Sequence, residues 1–252
     1  MFHNGELTRT QRWWSAVLNA GPEGMLCGLS AAEAVGLKGW ESDSAHVVVP
    51  KGVRVPPLEG VRLHESRRLQ PTDRHPVRLP PQTRLPRSLV DAAGWSVKPE
   101  VGCAILAAGV QQRLTRVTDL RVELSAAGQI AHSRILRLAL HDIEGGSHSL
   151  SEINFVRLCR QFGLPTPERQ VVRRDRQGRR RYLDAYFRLA DGTVLVVEVD
   201  GGLHLRIGPW WEDMARERDV VISTGKVLRC SSVEIRLHPE QIARDLRRAG
   251  VE

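Results

Sequence analysis

The sequence predicts an α/β domain preceded by a smaller α+β domain, and three observations carry that reading. The first lies in residues 182–204, where two apolar, β-rich runs flank Ala190-Asp191-Gly192. An Asp-Gly step between alternating hydrophobic runs is a strong short-range hairpin signal. The second lies just beyond the hairpin: a helix opened by Pro209 and stopped at Gly225, then a strand over residues 226–230. Pro in the first turn and Gly past the end is the usual asymmetry of helix termini. The third is Gly145-Gly146-Ser147, which breaks an amphipathic helix and divides the chain into domains 1–146 and 147–252. With 252 residues the chain is long enough to fill both.

In chain order, residues 6–20 read as a helix stopped by Gly21-Pro22, with Trp13, Trp14, Val17 and Leu18 at core-facing spacing. Ser30 is expected to cap a short helix over residues 31–37. Strands are expected at 46–50 and 61–64, separated by the turn Val55-Pro56-Pro57. Residues 67–87, rich in Pro and Arg, read as extended loop. Helices should cover roughly 87–94, 99–113 and 117–124. Residues 131–144 form an amphipathic helix with Ile135, Leu138 and Ile143 among its apolar positions. The second domain opens on Ser149-Leu150-Ser151-Glu152, where Ser three residues before Glu is a capping-box signature. Pro239 starts a terminal helix whose basic face is solvated.

Composition narrows the partners. Charged and apolar fractions of 26% and 41% are those of an ordinary folded protein. A formal charge of +8 favours polyanions such as nucleic acid. Cys27, Cys103, Cys159 and Cys230 stand far apart without a CxxC pair, and are expected to be small buried residues in a reducing compartment. There is no signal segment and no apolar run of membrane-spanning length, so a cytoplasmic protein is expected.

The register of the hairpin can be deduced from its pleat. Leu183, Ala185, Phe187 and Leu189 alternate on one strand, and Thr193, Leu195, Val197 and Val199 on the next. For both rows to share the core face, Leu189 must lie opposite Thr193, across a three-residue loop with Gly192 in the left-handed conformation. Asp184 then falls opposite Glu198, with Asp200 two residues further along the same face. Like charges opposed across a strand pair are destabilising unless something binds them. Hard divalent cations such as magnesium take carboxylate oxygens, and ions held this way activate water against phosphodiesters. The competing reading is a solvated outer face.

Residues 169–181 are rich in arginine, with seven Arg against the single Asp175. By default such a run is a solvated β-hairpin with Gly178 at its turn. Because it leads directly into Asp184, Arg173, Arg174, Arg179, Arg180 and Arg181 are also candidates to hold a phosphate backbone beside the acids.

The set of Glu152 on a helix, Asp184 on one strand, Glu198-Val199-Asp200 on the next, then Gly201-Gly202 and His204, resembles the PD-(D/E)xK restriction-endonuclease-like superfamily. Within it, the likeness is to the bacterial domain-of-unknown-function group related to very-short-patch repair endonucleases. The string EVDGGxH, Trp210-Trp211-Glu212-Asp213-Met214 with Arg218, and Val227-Leu228-Arg229 fit that group. The resemblance covers about the last hundred residues. It implies a restriction-endonuclease-like mixed sheet flanked by helices, and metal-dependent hydrolysis of DNA phosphodiesters. Asp184, Glu198 and Glu152 would hold Mg2+ or Mn2+, while Asp200 and His204 would assist by orienting water or meeting the scissile phosphate. The capping box accounts for Glu152 equally well. The superfamily's second motif usually ends in Lys, where this chain has Asp200; Lys226 or Arg229 could supply the cation.

The earlier strings GLSAAEAVGL, HVVVP, GVRLHES and LPRSLVDAA resemble AbiEi-like (abortive infection) antitoxins over roughly residues 5–120. Those proteins usually begin with a winged helix, and no helix-turn-helix pattern precedes Leu7. This resemblance implies a second class of function: a catalytically degenerate nucleic-acid-binding antitoxin or transcriptional regulator, with a cognate toxin or other protein as partner.

Overall fold

The computed structural model describes residues 5–144, 148–174, 180–200 and 227–252, and their side chains except those of 148–153, 169–174, 180–184 and Asp200. The chain divides into two compact units, Met1–Arg137 and Leu138–Glu252. Both hold helices and strands, and the first, expected to be the smaller, is the longer.

In the first unit, α1 (Arg9–Ala20) starts from a capping box: Thr8 accepts a hydrogen bond from the Gln11 backbone, and the Gln11 side chain accepts one from the Thr8 N–H. Trp13, Ala16, Val17 and Ala20 are buried on one face. Leu18, expected in the core, is 71% exposed because it lies off that stripe. A three-stranded sheet comes next, in the order β1 (Met25–Leu26), β2 (Ala45–Pro50), β3 (Val61–Ser66). β1 pairs antiparallel with β2, and β3 pairs parallel with it. The two expected strands are β2 and β3, while two-residue β1 is too short to show a period.

Between β1 and β2, α2 (Gly28–Val35) takes Cys27 at its N-cap. Ser30 therefore sits inside the helix rather than capping it. Its buried hydroxyl instead accepts a hydrogen bond from the His46 N–H of β2 at 2.8 Å. The three expected helices are α3 (Leu85–Trp95), α4 (Pro99–Gln111) and α5 (Val117–Ala126), the first two with Pro in their opening turn. α3 and α4 approach closely. A Cβ at Gly102 would come within 2.7 Å of the Ala93 carbonyl oxygen, and one at Gly109 within 2.5 Å of Leu89. The expected loop before α3 carries one short 3-10 turn, Pro71–Asp73. α6 (Ser133–Glu144) buries Leu136, Ala139, Leu140 and Ile143. Leu138, expected among the apolar contacts, is 36% exposed on the other side of that stripe.

β2 and β3 place His46 and His64 side by side, with Nδ1 of His46 3.1 Å from Nε2 of His64. Both imidazoles are held neutral. Burial, with nearby arginine charge, lowers His46 to about 4. Burial, then the His46 and Arg62 charges, lowers His64 to about 3. Unfolding below the ordinary value of 6.5 therefore takes up protons, so their contribution to stability is present above 6.5 and lost as pH falls towards 4 and 3. Each histidine adds a slope of about 1.4 kcal/mol per pH unit in that window. Asp91 and Glu123 act with the opposite sign, their carboxyls being pushed up by burial. Comparing the wild type with His46→Gln/His64→Gln isolates the histidines. The double variant should show a flatter fall in denaturant midpoint between about pH 6 and 4.5; parallel curves would mean that both rings titrate normally.

In the second unit, α7 (His148–Gln161) precedes a four-stranded sheet ordered β4 (Glu168–Arg174), β5 (Arg180–Arg188), β6 (Val194–Asp200), β7 (Val227–Ser231). The first two pairings are antiparallel and the last is parallel, so the sheet is mixed. α7 begins at His148, one residue before the expected capping Ser149. Phe155, Leu158 and Cys159 of α7 join Ala185, Phe187, Leu195, Val197, Val199, Leu228 and Cys230 in one core. The aromatic pair Phe155–Phe187 meets edge to face at 6.3 Å.

α8 (Ser232–Leu237), not expected from the sequence, is opened by a buried capping box in which Ser231 and Glu234 bond each other's backbone N–H. Its Arg236 forms a forked pair with the buried Asp142 of α6. α9 (Pro239–Arg248) is the expected terminal helix and seals the core with Ile242, Ala243 and Leu246. All four cysteines are buried and unbridged, as expected. The helix expected between Pro209 and Gly225 lies outside the described residues.

Candidate functional site

The hairpin between β5 and β6 has the register deduced from its pleat. The Leu189 N–H donates to the Thr193 carbonyl at 2.9 Å, the Gly192 N–H donates to Leu189 at 3.0 Å, and Gly192 sits at φ 78°. Asp191 fastens the loop by accepting from the Thr193 N–H at 2.8 Å and its hydroxyl at 2.6 Å. Those bonds hold its carboxyl below the ordinary range. Further along, Phe187 pairs with Leu195 and Ala185 with Val197. The pairs run from Arg188–Val194 to Ala185–Val197, and the same register carried one residue further would set position 184 opposite 198.

Side chains alternate across a sheet, so this register sorts the strands into two rows. Ala185, Phe187, Leu195, Val197 and Val199 are the buried row beneath α7. Positions 184, 198 and 200 belong to the other row. That second row is not simply a wetted face. Tyr186, one step from Asp184 in it, is 8% exposed and its hydroxyl bonds Glu168, while Val194 and Val196 are half-buried.

Glu198 is the only expected metal ligand whose side chain is among those described. Parallel pairing sets it directly beside Arg229 of β7, and Nε of Arg229 donates to its Oε2 at 2.9 Å. Both side chains are partly exposed, Glu198 at 37% and Arg229 at 48%. Of the two candidate cations, Arg229 thus stands against the acid row; Lys226 lies outside the described residues. Among the described residues, Arg229 is the ion-pair partner of Glu198. As a hard oxygen donor partly open to solvent, the Glu198 carboxylate fits a divalent cation.

The two described flanks of the arginine run pair as antiparallel strands, β4 and β5. In that register position 173 pairs with 181 and position 174 with 180. By alternation, positions 174 and 180 fall in the row of Asp184, and positions 173 and 181 in the row of Ala185. Arg179 and the turn at Gly178 lie outside the described residues.

The remaining expected residues are not assembled by the described part of the chain. Glu152 belongs to α7, which packs against the opposite row, so strand register does not bring it to the acids. The side chains of Glu152, Asp184 and Asp200 are not described, and His204 lies outside the described residues, as do Trp210, Trp211 and Arg218. Among the described residues no group of three His, Cys, Asp or Glu side chains is placed to hold a metal ion. Sequence reasoning passed over Tyr186, whose signal was an aromatic residue two positions from Asp184 on the same strand.

Among the described residues, no helix is long and apolar enough to cross a membrane. No family model, curated protein or solved structure matches the chain.

Proposed function

We propose that the second unit is a metal-dependent nuclease hydrolysing phosphodiester bonds of DNA. One observation carries this reading: the hairpin register puts positions 184, 198 and 200 in one row, with Arg229 against Glu198. Two or three carboxylates in a half-buried row need a counter-charge, and one guanidinium does not balance them. Asp184 and Glu198 would hold magnesium or manganese; the resemblance adds Glu152, which strand register does not bring to them. Bound there, the cation would polarise the phosphodiester and activate water.

The chain's own residues do the rest. Arg229 fixes the carboxylate of Glu198 and adds a permanent positive charge where the superfamily's Lys is missing. Asp200 and His204 orient water or meet the scissile phosphate. Arg174 and Arg180, in the same row as Asp184, seat the phosphate backbone without reading sequence. Titrating magnesium and manganese in a nicking assay on supercoiled DNA, beside single-stranded and mismatched DNA and RNA, tests the reading. No metal-dependent cleavage of any of them would refute it.

A second reading is favoured by Asp200 in place of Lys and by Glu198 already paired with Arg229. It is a catalytically degenerate fold that binds nucleic acid, or a toxin, as an antitoxin or regulator. Both readings use the arginines, so both expect DNA affinity to fall steeply with salt. Each phosphate contact contributes about 0.9 to the log–log slope on duplex DNA. Arg174→Ala/Arg180→Ala should lower that slope by roughly two. An unchanged slope in a binding titration from low to physiological salt would return the hairpin to ordinary solvated surface.

A further inference from the structure

The first unit contains a cleft of about 540 Å3 to which neither of these readings assigns a role. That size lies within the range of small-molecule sites, about 300–1,000 Å3. Its two sides differ chemically. Lys51, Arg67 and Arg68 come from the ends of β2 and β3, while Val90 and Trp95 of α3, with Ile130, make an apolar side. Buried Arg87 and Asp91 line it more deeply.

Two features of this cleft resemble a prepared ligand site more than a chance depression. Trp95 is 39% exposed, yet its ring is held firmly. It stacks on His64 with centroids 3.5 Å apart and planes 5° from parallel. His64 is bonded in turn to His46, and His46 to the Ser42 hydroxyl at 3.2 Å. Gly28 lets the ring in close, since a Cβ there would lie 2.9 Å from it. An exposed aromatic surface already fixed in place gives up little entropy when a flat group settles on it.

The second feature is unspent positive charge. Arg68 is engaged by Asp91 and Glu123. Lys51 and Arg67 are exposed, and among the described residues neither side chain has a carboxylate within ion-pair distance. Glu65, on the same side, offers an acceptor for hydroxyl groups.

We propose that this cleft binds a nucleotide unit, with its base against Trp95 and its phosphate between Lys51 and Arg67. Inorganic phosphate would leave the apolar side unused, and a purely apolar ligand would leave the cations unused. A ring carrying a phosphate uses both. A free mononucleotide and a nucleotide of a single strand share this chemistry, and either can supply the unit. The site lies within the first unit, and its test is independent of whether the second unit cleaves anything.

The test uses the full chain in EDTA, so that no metal-dependent cleavage intrudes. AMP, TMP and inorganic phosphate are titrated calorimetrically, and a five-residue oligothymidylate is scored by displacement of a fluorescent AMP analogue. The expected result is saturable one-to-one nucleotide binding, weakened about tenfold by Trp95→Ala, in keeping with the loss of one stacked base. Lys51→Glu/Arg67→Glu should weaken it at least as much and reduce its salt dependence. Tighter displacement by the oligomer than by TMP identifies a strand as the source, and the reverse identifies a free nucleotide. The proposal is overturned if neither mononucleotide binds, or if phosphate binds as well as AMP and Trp95→Ala changes nothing. Should Trp95→Ala fail to fold by circular dichroism, the exposed-site double variant decides: unaltered nucleotide affinity in it overturns the proposal.

Discussion

Glu198→Ala should nick supercoiled DNA at least about a hundredfold more slowly than wild type in magnesium or manganese, since losing even a partner of a metal ligand costs ten- to a hundredfold. In EDTA the same variant should bind that DNA at least as tightly as wild type, because a negative charge beside the phosphate backbone has gone. The variant also frees Arg229, whose Nε–Oε2 bond to Glu198 is 2.9 Å, to meet phosphate. Folding should be little affected. The side chain is 37% exposed and its ion pair is partly solvated, a setting in which pairs are worth about 0–1 kcal/mol. A stable, DNA-binding protein without nuclease activity is therefore the expected outcome. Undiminished nicking by Glu198→Ala would remove Glu198 from the reaction. Absence of cleavage by the wild type on every substrate would favour the binding reading, in which the substitution has no activity to remove.

Where a local rule leaves one solution, the sequence determined the structure. The β5–β6 hairpin is such a place: two apolar rows, a period of two and a single Asp-Gly step admit one register. The bonded pair Leu189–Thr193 and Gly192 at φ 78° realise it. The row of 184, 198 and 200 comes from that register alone. The contact of Glu198 with Arg229 did not, because it spans 31 residues and requires a parallel pairing whose register no turn specifies.

The misses share a physical origin in tertiary context. Ser30 carries the residue type of a cap, but its hydroxyl is used by the His46 N–H of a neighbouring strand. Leu18 and Leu138 are apolar residues on helices whose buried stripes pass beside them. The short elements β1 and α8 are defined by what they pair with or cap against, and two to six residues carry too little periodicity to announce them. Least visible was the role of Arg87, which sits at the end of a stretch that reads as polar loop yet is 3% exposed.

Replacing Arg87 with Met should cost about 3–5 kcal/mol of stability, the usual penalty for removing one partner of a buried charge pair. Arg87 Nε donates to Asp91 at 2.7 Å, one terminal nitrogen to Asp73 at 2.8 Å, and the other to the Ser66 hydroxyl at 3.3 Å. It thereby joins the end of β3, the 3-10 turn and α3, holding a long loop that has little regular structure of its own. Arg68 shares Asp91 and lies 3.6 Å from Glu123. In Arg87→Met, Asp91 at 4% exposure keeps only Arg68 among its ion-pair partners, and Asp73 loses the one it has among the described residues. Arg87→Lys should fall in between, since one ammonium cannot span three acceptors in a planar fork. The penalty should also depend on pH. Burial already pushes the carboxyls of Asp91 and Glu123 up against the pull of the arginines. Without Arg87 they rise further, and an acid raised in the folded state contributes most below its unfolded value and loses that contribution as pH rises. The gap between wild type and Arg87→Met should therefore be wider at pH 7 than at pH 5 in urea unfolding followed by tryptophan fluorescence. Arg116→Ala, at an exposed position, serves as the control and should change stability by no more than about 0.5 kcal/mol. An Arg87→Met loss as small as that control would mean that the network is ornamental and that packing alone holds the loop.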